Sequence, residues 1–163
     1  MAIKIREFEP DDLDFAIEIW NQVVIDGMAF PQTDLLDKTT GFELFTSQSY
    51  TGIAIDTASD TVVGLYILHP NNVGRCGHIC NASYAVKRNL RGNNIGEKLV
   101  SHCLIQAKIL NFSILQFNAV VANNHVALNL YKKLGFTRLG TIPKGFLTID
   151  GVFEDIVPHY IEL

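Results

Sequence analysis

Residues 86–96 read VKRNLRGNNIG, the most informative stretch of the chain. It follows an apolar run typical of a strand, turns through small polar residues, and precedes an amphipathic segment typical of a helix. The first backbone N–H groups of a helix have no partners within it and lie at the positive end of its dipole. Such a turn predicts a phosphate site, with Arg91 adding positive charge. The alternative is an ordinary strand-to-helix turn whose glycines serve only backbone geometry.

Two common nucleotide-binding patterns are absent from this stretch. It lacks G-x-x-x-x-G-K-[ST], the phosphate loop of many nucleotide hydrolases, and it lacks G-x-G-x-x-G, the turn of dinucleotide-binding folds. The sequence therefore excludes nucleotide hydrolysis and nicotinamide chemistry as interpretations of this turn.

The elements around this stretch come in mixed order and indicate the α/β class. Apolar spacing predicts four helices, at 13–24, 39–48, 94–110 and 124–134. It also predicts seven strands, at 3–8, 50–56, 62–69, 78–86, 114–121, 137–142 and 152–161. The second, third and fourth strands predict an antiparallel meander, and the nearly all-apolar fifth is typical of a strand buried on both faces. No linker or repeat divides the chain, so we expect one domain over residues 1–163.

Composition and charge describe an ordinary globular chain. It has 13 basic and 17 acidic residues, a formal net charge of -4, and 48% hydrophobic residues. Nucleic acids and anionic membranes attract proteins through clustered Lys and Arg, so we expect neither as a partner. No run approaches the roughly 20 apolar residues of a membrane-spanning helix. Because residues 1–9 also lack an apolar signal segment, we expect a cytoplasmic protein.

The three cysteines, an odd number, argue against a disulfide framework. Cys76, His78 and Cys80 have alternate-strand spacing and would share one face of a strand. Structural zinc takes four ligands, however, and the sequence offers no second cluster. We therefore expect no metal, and we assign no cysteine as a nucleophile.

A second stretch, residues 124–136, reads NHVALNLYKKLGF. The motif Arg91-Gly92-x-x-Ile95-Gly96 opens a long helix, and Asn-x-x-Ala-x-x-Leu-Tyr-x-Lys-x-Gly-Phe follows about one strand later. Together they resemble the acyl-CoA-binding core of the GNAT superfamily of N-acetyltransferases. The order of elements over the whole chain is also similar to that superfamily. The resemblance implies the GNAT acyl-CoA N-acyltransferase fold, a mixed, mostly antiparallel twisted sheet of about seven strands flanked by four helices.

The resemblance also implies that acetyl-CoA is the acyl donor and that transfer is direct, in a ternary complex. Ala85 and Val86 would pair with the pantetheine arm, which the Asn124 side chain would also contact. Tyr131 would protonate the departing CoA thiolate, a role that suits a phenol with a pKa of about 10. The alternative is a tyrosine with a buried ring and a hydrated hydroxyl. The backbone amides implied to bind the CoA pyrophosphate belong to Arg91, Gly92, Asn93, Asn94, Ile95 and Gly96.

One residue of this turn departs from the family pattern. Asn94 stands where the family usually has a Gly-sized or Ala-sized residue. Asn tolerates left-handed backbone better than most residues, so we expect the turn to keep a phosphate-binding geometry.

Two asparagines interrupt apolar strands and predict the acceptor side of the site. Asn81 and Asn118 lie in strand-like runs where an unpartnered buried amide would cost about 1 to 3 kcal/mol, so each should be bonded to something specific. The alternative for each is a bonded bulge or strand edge. With the stretches 75–79 and 116–122, they resemble fungal-type acetyltransferases that detoxify proline analogues such as azetidine-2-carboxylate. In that group the matching asparagines line the substrate site.

Phe30, in the irregular link between the first two helices, and Tyr84 complete the predicted substrate side. Residues 76–86 contain no carboxylate that would serve as a general base. We therefore expect the two asparagines to orient the substrate and a water molecule that takes the amine proton. His78 is the alternative base, because imidazole titrates near neutral pH.

The predicted acceptor is the amine of a small molecule, in particular an amino acid or a cyclic analogue, and the predicted role is detoxification. Two alternatives stay open. A protein or peptide N-terminal acetyltransferase would accept an extended chain, and a non-catalytic acyl-CoA sensor would bind the donor without transfer. By resemblance, residues 152–163 would allow a homodimer across a two-fold axis, and the sequence allows a monomer equally well.

Overall fold

Nine strands and four helices follow one another in the computed structural model, which describes residues 1–163. The helices are α1 Leu13–Asp26, α2 Lys38–Thr46, α3 Ile95–Ile109 and α4 His125–Lys133. The strands are β1 Ile3–Glu7, β2 Tyr50–Asp56, β3 Thr61–Pro70, β4 Ile79–Val86, β5 Ile114–Phe117, β6 Thr137–Arg138, β7 Ile142–Leu147, β8 Phe153–Ile156 and β9 His159–Glu162. Each predicted helix is present, with ends within two residues of the prediction. None of the helices combines the length and apolar character needed to cross a membrane.

Seven strands form one sheet in the order β1-β2-β3-β4-β5-β9-β6, and β7 and β8 form a separate hairpin. Every neighbouring pair in the sheet is antiparallel except β4 and β5, which are parallel. Parallel neighbours need a long crossover connection, and α3 supplies it. The predicted mixed, mostly antiparallel sheet with four helices is confirmed.

Two hydrophobic cores cover the two faces of this sheet. Helices α1 and α2 pack on one face, around Trp20 and Phe45. Helices α3 and α4 pack on the other, around Leu99. Successive residues of a strand point to opposite faces, so Ala85 of β4 belongs to the first core and Ala82 to the second. Strand β4 is therefore covered on both sides.

The predicted strand 114–121 is wrong in its second half, because β5 ends at Phe117. Beyond that point the chain turns toward the connection between β8 and β9. Val120 O accepts from Val157 N–H and Asp155 O accepts from Ala122 N–H, each at 2.8 Å. These hydrogen bonds draw residues 118–122 away from β4 and separate two strands that begin as neighbours.

The predicted closing strands, 137–142 and 152–161, are both interrupted, and the part of β7 after Ile142 was not predicted as a strand. Gly140, with φ of +145°, interrupts the first between β6 and β7. Pro158 lies between β8 and β9, where a residue without an N–H cannot continue a ladder. The divisions let β7 and β8 leave the main sheet as a hairpin.

Candidate active site

A gap opens in the sheet between β4 and β5. Only residues 79–80 of β4 pair with residues 114–115 of β5, so from residue 81 onward this edge of β4 has no strand beside it. Backbone groups inside proteins are almost always hydrogen-bonded, and an open strand edge accepts an extended ligand as an additional strand. We call this gap the cleft. Ala85 and Val86, predicted to pair with the donor's arm, lie on its β4 edge.

The segment after β4 leaves backbone donors free. Gly92 has φ of +86°, and no atom lies within 4 Å of the position that a Cβ would take. Asn94 has φ of +60° and precedes α3 without capping it through its side chain. The helical hydrogen bonds begin with Lys98 N–H, which donates to Asn94 O at 3.2 Å. The N–H groups of residues 95–97 therefore lack partners within the helix and suit an anionic ligand.

The Arg91 side chain is held by an acidic residue that sequence analysis missed. Arg91 Nη2 lies 2.9 Å from Asp26 Oδ2, and Arg88 Nη2 donates to Asp26 Oδ1 at 2.6 Å. Burial tends to raise the pKa of Asp26, but hydrogen bonds from Arg91 and Arg88 outweigh it and hold this pKa below its usual value. The charge predicted at Arg91 is present, but it is paired. No local pattern signals this contact, since Asp26 and Arg88 are 62 residues apart.

Helix α4 positions two of the predicted donor-site residues. Asn124 Oδ1 caps the helix by accepting from Ala127 N–H at 3.2 Å, which leaves its Nδ2 group for a ligand. The Tyr131 ring packs on Phe117, with 4.5 Å between ring centroids, at the residue where β5 ends. Burial raises the pKa of the Tyr131 phenol above its usual value, so the hydroxyl stays protonated at neutral pH.

Tyr84 lies on the opposite face of β4 from Asn81, because residues three apart in a strand point to opposite sides. Its ring packs against Tyr66 and Phe117, each with 5.9 Å between centroids. The Tyr84 hydroxyl is buried without a hydrogen-bond partner, and burial raises its pKa well above the usual value. Tyr84, predicted on the substrate side, therefore shares its core with Tyr131 and not with Asn81.

The predicted acceptor asparagines are bonded mainly to local partners. Asn118 is exposed immediately after β5; its Nδ2 donates to Asn71 Oδ1 at 2.6 Å and its Oδ1 accepts from Gln116 Nε2 at 3.1 Å. Asn81 is half-buried, and its Oδ1 accepts from the following backbone N–H at 2.7 Å. No hydrogen bond joins the two. Sequence analysis missed Asn71 and Gln116, since a polar residue in a turn or at a strand end carries no distinguishing signal.

Phe30 belongs to the core beside the link between α1 and α2. It is 8% exposed and packs on Trp20 with 4.5 Å between ring centroids. The neighbouring link residues 31–34 line a cavity of about 360 Å³ together with Leu36 and Leu44. The part of the link that remains open to a ligand is therefore residues 31–34, and the Phe30 side chain does not line this cavity.

The predicted common face of Cys76, His78 and Cys80 is wrong. Cys76 ends a short turn at 74–76, and β4 begins only at Ile79. Cys80 is buried and its thiol donates to Ile114 O at 3.3 Å. The structure contains no group of three or more His, Cys, Asp or Glu side chains suited to a metal ion.

Sequence comparison places the chain among acetyltransferases. Residues 18–136 match the model of the Acetyltransferase (GNAT) family. N-acetyltransferase aca1 of Schizosaccharomyces pombe is 37% identical over 82 residues, which are 50% of this chain and 39% of that protein. The aligned part of the chain thus spans well under half the length of this curated relative.

Comparison with solved structures supports the fold. A GCN5-related N-acetyltransferase from Kribbella flavida has a TM-score of 0.91 and 28% identity, covering 99% of this chain and 98% of that one. A phosphinothricin acetyltransferase from Sinorhizobium meliloti, solved in complex with AcCoA, has a TM-score of 0.88 over 100% of this chain and 89% of that one. Its 19% identity makes this a likeness of fold.

The region matched by the family model contains both sequence motifs, the free N–H groups at the start of α3, the cleft and Tyr131. The GCN5-related N-acetyltransferase superposes over nearly the whole chain, beyond the region that the family model matches. The chain belongs to the acetyltransferase (GNAT) family.

Proposed function

We propose that this chain is an acetyl-CoA-dependent N-acetyltransferase that transfers acetyl directly to the amine of a small molecule while both substrates are bound. The observation that carries this proposal is the cleft. It combines an open backbone edge on β4, a turn with unpaired N–H groups, and Tyr131 beside the residue where β5 ends. An enzyme of similar fold was solved with AcCoA.

The residues of the cleft fit this acyl donor. The free N–H groups at the start of α3 suit a diphosphate, and the edge at Ala85 and Val86 suits an extended chain with amide groups. Asn93 is engaged within the turn, since its Nδ2 donates to Leu90 O at 2.9 Å, so its contribution is its backbone N–H. Asn124 offers its Nδ2 group. When bound, acetyl-CoA supplies a thioester carbonyl for an amine to attack.

Different side chains around the cleft serve the two proton transfers, removal of the amine proton and protonation of the CoA sulfur. Asn81 and Asn118 orient the acceptor and a water molecule that takes the amine proton, since β4 carries no carboxylate. A backbone N–H near Val86 stabilises the charge that develops on the carbonyl oxygen. As the C–N bond forms and the C–S bond breaks, Tyr131 gives its hydroxyl proton to sulfur and is reprotonated from solvent.

The acceptor that we propose is a small amino acid or a cyclic analogue such as azetidine-2-carboxylate. Asn71, Asn81 and Asn118, which we call the acceptor face, offer uncharged donors and acceptors to such a molecule. A detoxifying role in the cytoplasm by one domain over residues 1–163 belongs to the same proposal. So does a homodimer through residues 152–163, where Val152 and Phe153 are exposed.

The proposal is tested by acetyl-CoA turnover with mass spectrometry of the acceptor, because mass detection avoids interference from the protein's own thiols. The panel comprises azetidine-2-carboxylate, proline, other amino acids, polyamines and a short peptide. We expect acetylation of azetidine-2-carboxylate well above the others. Peptide-dependent turnover that no free amino acid matches would favour an N-terminal acetyltransferase, and binding of acetyl-CoA without transfer would favour a sensor.

A further inference from the structure

One carboxylate connects the end of α1 to the segment proposed to bind the donor's diphosphate. Asp26 is the last residue of α1, and its two oxygens bind two different arginines of the segment after β4, Arg88 at 2.6 Å and Arg91 at 2.9 Å. The Asp26 side chain is 28% exposed, whereas the side chains of Arg88 and Arg91 are 54% and 45% exposed, so only the carboxylate is partly shielded from solvent. Charge-assisted hydrogen bonds of this length are among the stronger polar contacts in proteins.

Gln22, a second residue of α1 that lies one turn before Asp26, binds Arg88 of the same segment through its side chain and through its backbone carbonyl. Gln22 Oε1 accepts from Arg88 N–H at 2.9 Å, and Gln22 O accepts from Arg88 Nη2 at 3.4 Å. The C-terminal end of a helix is the negative end of its dipole, which favours nearby cations. The end of α1 therefore holds both the main chain and the charged side chains that lead into the turn.

The position of Asp26 is itself fixed by the chain that follows it. Gly27 ends α1 in a left-handed conformation, with φ of +61°. Its carbonyl accepts from Ile149 N–H at 3.1 Å, and a Cβ at Gly27 would lie 2.5 Å from Ile149 Cβ. The segment between β7 and β8 thus contacts Gly27 and fixes the main chain directly after Asp26.

We infer that Asp26 is a positioning residue for acyl-donor binding. Through Arg88 and Arg91 it holds residues 88–94 against α1, so that the backbone N–H groups of Gly92 and residues 95–97 keep one arrangement around the diphosphate. Asp26 does not touch the reacting atoms. The inference rests on the proposed function, and it adds a residue from α1, outside both sequence motifs, to the donor site.

The test compares Asp26→Asn with a matched control, Asp14→Asn. Asp14 also lies on α1 in an ion pair, 3.1 Å from Lys38, but both members of this pair are exposed and distant in sequence from the turn. Binding of CoA is measured by calorimetry, and turnover is measured with acetyl-CoA and with S-acetyl-pantetheine, which lacks the diphosphate. The second donor separates an effect on the turn from a general loss of structure.

We expect Asp26→Asn to raise the Kd for CoA and the KM for acetyl-CoA by about tenfold, which is the contribution of one charge-assisted contact to affinity. The kcat and the turnover of S-acetyl-pantetheine should stay within about twofold of wild type, since the reacting atoms are untouched. Asp26→Glu, which keeps the charge, should recover most of the affinity, and Asp14→Asn should match wild type.

Other outcomes overturn the inference. Unchanged CoA affinity in Asp26→Asn, or an equal loss with S-acetyl-pantetheine, would show that Asp26 does not act through the diphosphate turn. If Asp26→Asn folds poorly, Arg88→Gln is used instead, because it removes one of the two ion pairs and should still raise the Kd for CoA without lowering kcat. A wild-type Kd for CoA in Arg88→Gln would contradict the inference. Failure of the wild-type protein to bind CoA would instead overturn the proposed function, and this inference with it.

Discussion

The donor segment, residues 85–96, and the acceptor face, Asn71, Asn81 and Asn118, are proposed to recognise their ligands through different atoms. The donor segment is one continuous piece of chain that offers backbone N–H groups, and its shape depends on the left-handed residues Gly92 and Asn94. The acceptor face consists of side-chain amides from three separate segments. The first kind of site follows from local conformation, whereas the second exists only when distant segments meet.

The same difference appears in where the predicted residues lie. All residues predicted for the diphosphate are adjacent to one another in the structure, because they are adjacent in sequence. Of the predicted substrate residues, Tyr84 lies on the far face of β4 and Phe30 lies in the α1 core. Substitutions in the donor segment should therefore change the affinity for CoA, whereas substitutions in the acceptor face should change kcat/KM for the acceptor. A substitution at Tyr131 should change kcat alone.

Gly92→Val should have the largest effect. At φ of +86° a β-branched side chain is strongly disfavoured, so the turn must change conformation and its N–H groups no longer converge. We expect the Kd for CoA, measured by calorimetry, to rise by about 100-fold, from strain and lost contacts together. Gly151→Val is the matched control, since φ there is +76° with equally open surroundings. If both variants weaken CoA binding alike, the donor segment has no special role.

Tyr131→Phe should lower kcat and leave the KM for acetyl-CoA unchanged. We expect a loss of about 30-fold, less than is usual for a general acid, because a thiolate needs less help to leave than an alkoxide. Burial raises the pKa of Tyr131, so the wild-type kcat should show no alkaline decline from this group below about pH 10. Tyr50→Phe, which removes a phenol from β2, is the control. Full activity in Tyr131→Phe would remove Tyr131 from the chemistry.

Asn118→Ala and Asn81→Ala should each lower kcat/KM for the acceptor by about tenfold, the loss of roughly one hydrogen bond to the substrate. The KM for acetyl-CoA should not change, because the donor segment is intact. Asn71→Ala should have a smaller effect in the same direction, since Asn71 acts by holding Asn118. The exposed Asn129→Ala on α4 serves as control. Retention of full turnover by both Asn81→Ala and Asn118→Ala would refute the acceptor face.

His102→Gln should have the smallest effect and should alter stability alone. His102 Nδ1 is hydrogen-bonded to the Tyr66 hydroxyl at 2.9 Å, and burial lowers its pKa. The unfolded chain binds this proton more tightly, so stability falls as pH drops below about 6.5 and levels off once pH is below the lowered pKa. His102→Gln should flatten this part of a Tm-against-pH curve and leave kcat unchanged. An unaltered curve would show that His102 does not contribute to it.

Much of the fold was predictable because its signals are local. Four helices and the order of strands follow from apolar periodicity, which short-range sequence carries directly. The end of β5 at Phe117 was not predictable. Residues 118–122 are as apolar as the strand before them, and they leave β4 because Ala122 N–H donates to Asp155 O and Val120 O accepts from Val157 N–H, two partners that are distant in sequence.

By itself, the sequence determined the turn that favours a phosphate, the helix that begins there and the motif that carries Tyr131, because each depends on residues close together in the chain. Only the tertiary structure decided that Asp26 holds Arg88 and Arg91, that Asn71 holds Asn118, and that a cleft separates β4 from β5. Backbone conformation is set mainly by neighbouring residues, whereas side-chain pairing and strand separation depend on contacts between segments that only the folded chain brings together.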